Sequence, residues 1–195
     1  MENFLNNIWD WAILAALLAG ALYTLWIVRQ ESSTFLDESY LITFGRLSLP
    51  VPTWWSITKQ EKSLIQFGRT DTRYDWYARF EFIPGDVNIS LPDILHAKIE
   101  AEELDYDKDD VVIETESRHL FKDEATQKHF VEVIRVEGKA SQRIEERVYL
   151  DIYLFRNKAE GGHYLCESRS SVLNGSVEGP FFEECLSLMK LEPKN

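Results

Sequence analysis

From Ile8 to Val28 the chain reads IWDWAILAALLAGALYTLWIV, 21 residues with one charge, Asp10. No other segment restricts the molecule as much, because almost every residue here seeks apolar surroundings whichever way a helix is turned. At about 1.5 Å per residue the run reaches roughly 30 Å, the hydrocarbon thickness of a bilayer. Trp9 and Trp11 stand at one end, and Tyr23 and Trp26 at the other, where aromatic rings favour the headgroup interfaces. Arg29 follows and can snorkel outward. The pattern predicts a transmembrane helix over 8–28 behind a polar tail at 1–7. Residues 1–10 hold no Lys or Arg, and Leu25-Trp26-Ile27-Val28 is a poor cleavage site. An uncleaved single-pass anchor is therefore expected rather than a signal peptide.

Arg29 and Arg46 are the positive residues nearest the span, both on its C-terminal side. The positive-inside rule then favours a cytoplasmic C-terminal domain. Ala12, Ala16, Gly20 and Thr24 recur every four residues and form one stripe of small side chains. Such a stripe lets a second helix backbone come close in a membrane, where packing rather than hydrophobicity drives association. The plainer reading is that Ala is a tolerated membrane residue.

Residues 29–40 read as a polar linker, and a globular domain is expected over 41–193. ITFGRLSLPVP reads as a strand ended by Pro50 and Pro52, with TWWSITK and KSLIQFGR as two more. DWYARFEFIPG alternates, Trp76, Ala78, Phe80 and Phe82 on one face and Tyr77, Arg79 and Glu81 on the other. SLPDILHAKIEAEEL reads as a helix capped by Ser90, with Pro92 in its first turn. DVVIETE, HFVEVIRVEG and RVYLDIYLFRN follow as strands, the last two joined through Gly138-Lys139-Ala140-Ser141. HYLCESRSSVL follows a Gly161-Gly162 turn, and PFFEECLSLMKL reads as a helix beginning after Gly179. The order predicts an α+β domain, a mostly antiparallel sheet packed with two helices.

The strand–Pro–aromatic segment (Leu47, Leu49, Pro50, Trp54, Ile57), the central helix, the long hairpins and the closing Phe-x-x-Cys-Leu-Ser helix resemble the PsbP-like fold. The resemblance spans about 150 residues in order of elements, a length within the ordinary range for one domain. It implies a non-enzymatic domain that docks onto partners, and no functional residue transfers from it position by position.

The formal net charge of −12 argues against non-specific binding to nucleic acid, since phosphates would be repelled. Two Cys are too few for a disulfide scaffold. Between Glu100 and Glu116 lie nine acids and one Lys. Within that run Asp105, Asp107, Asp109 and Glu116 occupy positions 1, 3, 5 and 12 of an EF-hand loop, the spacing at which hard oxygens surround calcium. Asp110 stands where that loop needs Gly, and the following VVIET reads as a strand. The plain reading is a solvated acidic turn between helix and strand, and a cation-bridged or basic-partner docking surface is favoured over a calcium loop, with no bound metal or cofactor expected. Trp54-Trp55 reads either as an exposed aromatic anchor or as core packing. No nucleophile elbow or phosphate loop is present. The chain thus reads as a membrane-anchored interaction or adaptor module, with protein partners and the membrane as its contacts. The alternative is a ligand-binding domain or enzyme using a pocket between sheet and helix.

Overall fold

The computed structural model describes residues 11–192 except 25, 27–34, 36, 71–74, 110, 144 and 145. The chain divides into two compact units, Met1–Ser39 and Tyr40–Asn195. In the first, helix α1 covers residues 11–24.

The second unit opens with β1 (Ser39–Phe44) and β2 (Leu47–Pro52), which with β11 (Lys190–Leu191) form a small sheet in the order β1-β2-β11. The expected single strand over 42–52 is thus two strands. Gly45 sits between them at φ +61°, a left-handed conformation that side chains resist. Pro50 and Pro52 do not end β2, because β11 pairs only with Leu47 and Ser48 and asks nothing of the prolines. β1 starts at Ser39, inside the expected linker.

The larger sheet contains β3 (Ser56–Glu61), β4 (Leu64–Gly68), β5 (Trp76–Pro84), β6 (Leu104–Tyr106), β7 (Val112–Glu114), β8 (Val133–Gln142), β9 (Glu146–Asn157) and β10 (Gly162–Ser171). Its order is β3-β4-β5-β10-β9-β8-β6, with β7 also pairing β8, and each pairing is antiparallel. The β9–β10 turn needs both its glycines. Gly161 has φ +70°, and a Cβ on Gly162 would lie 2.4 Å from the Ile83 carbonyl oxygen.

The β8–β9 hairpin turns later than expected. Gly138 lies opposite Leu150 inside the ladder, and the chain leaves it at Arg143, which has φ +49°. A lone Gly between alternating residues thus serves as a strand position rather than as a turn.

Four helices accompany these strands where two were expected. They are α2 (Leu91–Ala101), α3 (Ser117–Leu120), α4 (Glu124–His129) and α5 (Val172–Ser187). Ser90 caps α2 as predicted, its hydroxyl accepting the Asp93 N–H at 3.3 Å. The short α3 and α4 carry no amphipathic period to read, although Asp123 caps α4 by accepting the Thr126 N–H at 2.8 Å. α5 begins at Val172, not after Gly179, and holds Pro180 inside it. The proline removes one helical hydrogen bond. Buried Glu178 before it and buried Phe182, Cys185 and Leu186 after it pin both halves to the sheet.

Strand alternation gives the large sheet two buried faces. α5 packs on one, over β5, β9 and β10, and α2 packs on the other, over β8 and β9.

Candidate functional site

α1 is apolar around its whole circumference, and its residues 11–24 are all exposed. Trp11 is 67% exposed, Leu17 67% and Leu22 66%. Ala12, Ala16, Gly20 and Thr24 lie on one line of this helix. The Thr24 hydroxyl donates back to the Gly20 carbonyl at 2.9 Å, which satisfies its polar group within the helix. A Cβ added at Gly20 would meet nothing within 4 Å. Among the described residues no helix is long and apolar enough to cross a membrane. Residues 8–10, 25, 27 and 28 of the expected span lie outside the described residues.

The acidic run is spread along a sheet edge. Asp105 sits in β6 opposite Ser141, and Glu114 closes β7 opposite Arg135. Those positions on β8 are six residues apart, so about 20 Å separates the start of the run from its end. Asp105 and Glu116 therefore do not meet around one ion. Asp107 instead pairs with Arg147, whose hydrogen bonds hold its carboxyl below the usual range. Asp109 is exposed, and Glu116 precedes α3 and pairs with Arg118. Among the described residues no three His, Cys, Asp or Glu side chains gather closely enough to hold a metal. Asp110 lies outside the described residues.

This edge has a second property. β6 and β7 follow one another along β8 and end the sheet. Val112 and Ile113 are 53% and 63% exposed, and Val131, which shares a cleft with residues 115–118, is 74% exposed. β7 thus has an open outer edge with one exposed apolar side chain on each face, Val112 opposite Glu137 and Ile113 opposite Val136, and such an edge can pair with an extended segment.

Several charged groups lie inside the domain, mostly with partners. On the α5 face Arg135 makes two 2.9 Å bonds to Asp151, pairs with Glu137 at 2.8 Å and lies over the Tyr153 ring at 4.9 Å. Burial, reinforced by Glu137 and Glu183, raises the Asp151 carboxyl to about 7 against the pull of Arg135. On the α2 face Lys98 pairs with buried Glu167 at 2.6 Å, and Tyr77 donates to the same carboxylate at 2.7 Å. Trp55 is core rather than anchor. Its indole N–H donates to Glu178 at 3.0 Å, and Arg69 holds the other Glu178 oxygen at 2.5 Å. Trp54 packs edge-on against Phe181 at 5.2 Å. Cys166 and Cys185 are buried free thiols, and burial pushes both up, which makes them poor nucleophiles at neutral pH.

One group was not anticipated. Lys128 and His129 of α4 meet Arg156 of β9 and Lys158 just beyond it around one cavity. The two basic pairs stand far apart in sequence, and only the tertiary placement of α4 brings them together.

No protein-family model and no curated protein matches the sequence. Among solved structures there are similarities at low identity, a cyanobacterial PsbP included. The chain is similar to cyanobacterial PsbP from Synechocystis, at 12% identity and a TM-score of 0.45, covering 78% of this chain and 91% of that one. It is similar to LpqN of Mycobacterium tuberculosis, a protein involved in cell envelope biogenesis, at 11% identity and a TM-score of 0.45, covering 80% and 91%. It is also similar to the Ran-binding protein Mog1p of Saccharomyces cerevisiae, at 9% identity and a TM-score of 0.41, covering 75% and 86%.

Proposed function

We propose that this protein is a membrane-anchored interaction module, its α+β domain docking a partner while the N-terminal helix holds it at a bilayer. The observation that carries the reading is α1, a helix apolar on every side whose residues 11–24 are all exposed. Such a helix is stable only in an apolar medium or against another apolar surface. The full stretch from Ile8 to Val28 has the length a bilayer asks for. Arg29 and Arg46 favour the domain on the cytoplasmic side, and two unpaired buried thiols suit a reducing compartment. The outer edge of β7 supplies the docking edge, and the carboxylates beside it favour a basic partner segment.

Fractionation of the full chain and of a chain lacking residues 1–30 tests the anchor. The full chain is expected to stay with membranes in alkaline carbonate. The truncated one is expected in the soluble fraction with a cooperative melt, since Tyr40–Asn195 is compact by itself. Carbonate extraction of the full chain would sink the anchor. The small-residue stripe is proposed to pack against a partner helix. In an in-membrane energy-transfer assay Gly20→Leu should weaken association more than Leu18→Ala, and equal association would leave recognition to the soluble domain.

A further inference from the structure

The large sheet has two ends, and they are not finished alike. β3 closes one end. Its pairing with β4 shifts register between Ile57 and Lys59, and Lys59 pairs with Glu61 at 2.9 Å along it. A bulge and exposed charges of this kind keep a strand edge from pairing with another chain. β7 at the other end has neither a bulge nor a Lys. Its three residues, Val112, Ile113 and Glu114, hold an unbroken register on β8. Val112 and Ile113 are 53% and 63% exposed, and among the described residues no strand pairs with the outer side of β7.

The chemistry around this edge defines what fits it. Directly opposite residues of an antiparallel pair share a face. Val112 and Glu114 therefore lie on the α5 side with Glu137 and Arg135, and Ile113 lies on the α2 side with Val136. Glu114 is held in place. Its Oε1 accepts the N–H groups of Thr115 and Glu116 at 3.0 and 3.1 Å, and its Oε2 meets His119 Nδ1 at 3.0 Å. Those two N–H groups are satisfied, so the edge open to pairing ends at Glu114. Before Val112 stands exposed Asp109. Residues 100–116 hold nine acids and one Lys, and Arg118 and His119 offset only part of that charge. A second copy would bring either the same carboxylates or the bulged β3 edge, and neither complements β7.

We propose that β7 is completed by a short extended segment of a partner protein with the pattern basic–apolar–apolar–basic, added as a further strand. The two apolar residues lie beside Val112 and Ile113, on opposite faces. One basic residue lies beside Glu114, and the other reaches toward Asp109. The pattern reads the same in both directions, so it serves a parallel or an antiparallel segment. Main-chain hydrogen bonds supply the attraction and the side chains supply the choice. The proposal rests on β7 being the domain's docking edge, and adds how that edge is filled and which sequence it selects.

Fluorescence anisotropy of a labelled synthetic peptide, Lys-Val-Val-Lys flanked by Gly and Ser, tests it by titration with the full chain in uncharged detergent. Saturable binding is expected, weakening as salt rises. A Glu-Val-Val-Glu peptide should bind about fivefold more weakly, as should the Lys peptide methylated on both Val amide nitrogens. Ile113→Lys, at an exposed position that does not threaten the fold, should weaken binding about tenfold. Ile57→Lys on the β3 edge should leave it unchanged. Absence of saturable binding by the Lys peptide would overturn the proposal, as would affinity unchanged in Ile113→Lys. Equal binding of the methylated peptide would overturn strand addition, while leaving β7 as a docking surface held by side chains. Self-association of the chain that Ile113→Lys abolishes would overturn it in favour of a second copy.

Discussion

The two faces of the large sheet are built from the same strands but from different chemistry. Under α5 the core is aromatic. Trp55 and Trp76 lie 4.6 Å apart, Phe182 meets Phe80 at 5.7 Å and Tyr153 at 5.8 Å, and Phe155 stacks on Tyr164 at 5.4 Å. Under α2 the core is aliphatic, formed by Leu91, Leu95, Ile134, Val136, Ile152, Leu154 and Leu165. Alternation within β9 alone separates them, with Tyr149, Tyr153 and Phe155 to one side and Leu150, Ile152 and Leu154 to the other. Rings carry polar handles that must be answered once buried. The α5 face therefore also holds Glu178 for the Trp55 indole and Ser168 for the Trp76 indole, the latter at 3.0 Å. Branched aliphatics make no such demand, and the pair of Lys98 with buried Glu167 on the α2 face answers itself rather than a ring of the core. One face specifies its packing by hydrogen bonds as well as by shape, whereas the other relies mainly on shape.

The largest test of this contrast removes a side chain from each core. Phe182→Ala should cost about 4 kcal/mol and Leu95→Ala about 3 kcal/mol, read by urea unfolding of the chain lacking residues 1–30. If Leu95→Ala proved the costlier, the aliphatic face would be the one that sets stability.

A smaller effect is expected from the buried charges. Asp151→Asn should destabilise by about 3 kcal/mol, the low end for breaking a buried pair, because Glu137 and Glu183 still neighbour Arg135. Glu167→Gln should cost less, since Lys98 keeps Glu102 at 2.5 Å. Equal losses would mean that the α2 face is as tightly specified by its ion pair as the α5 face is by its own.

The smallest effect is the share of the pH dependence that His163 contributes from the α2 side. Burial, and next to it the positive Arg156, hold the His163 imidazole below its ordinary value, with Glu81 pulling the other way. The folded state thus prefers His163 neutral. Its contribution is complete above pH 6.5 and declines as pH falls through the lowered folded value. Urea midpoints between pH 7.5 and pH 5 should therefore fall less in His163→Gln than in the parent. Identical slopes would place the acid sensitivity elsewhere.

The sequence made the long elements legible because they carry a period. The alternation of residues 76–84 gave β5 its two faces, and Ser90 announced α2. What was missed had no period to read. α3 and α4 are one or two turns long, and α5 begins among Asn174, Gly175 and Gly179, residues whose local preference is for turns. There, burial of Glu178 and Phe182 outweighs local preference. The acidic spacing at 105–116 suggested a ring in one dimension, while the pairing of β6 and β7 with β8 stretches it into a line. The basic cavity was invisible for the opposite reason, since its pairs at 128–129 and 156–158 are joined only by the fold.

The small sheet joins the two ends of the domain. β11 zips onto β2, and Arg46 reaches the Glu192 carbonyl across 146 positions of sequence. A ribosome making this chain has released the Ile8–Val28 segment long before residue 190 exists. The domain's first strands must then wait for their last partner, with β2 lacking one neighbour and α5 unmade. The hairpins of β3 to β5 and of β8 to β10 can form as they emerge, because their contacts are local, but the long-range closure comes last. Truncations near the C-terminus should accordingly leave nascent chains that chaperones retain, even when most of the sheet has been synthesised.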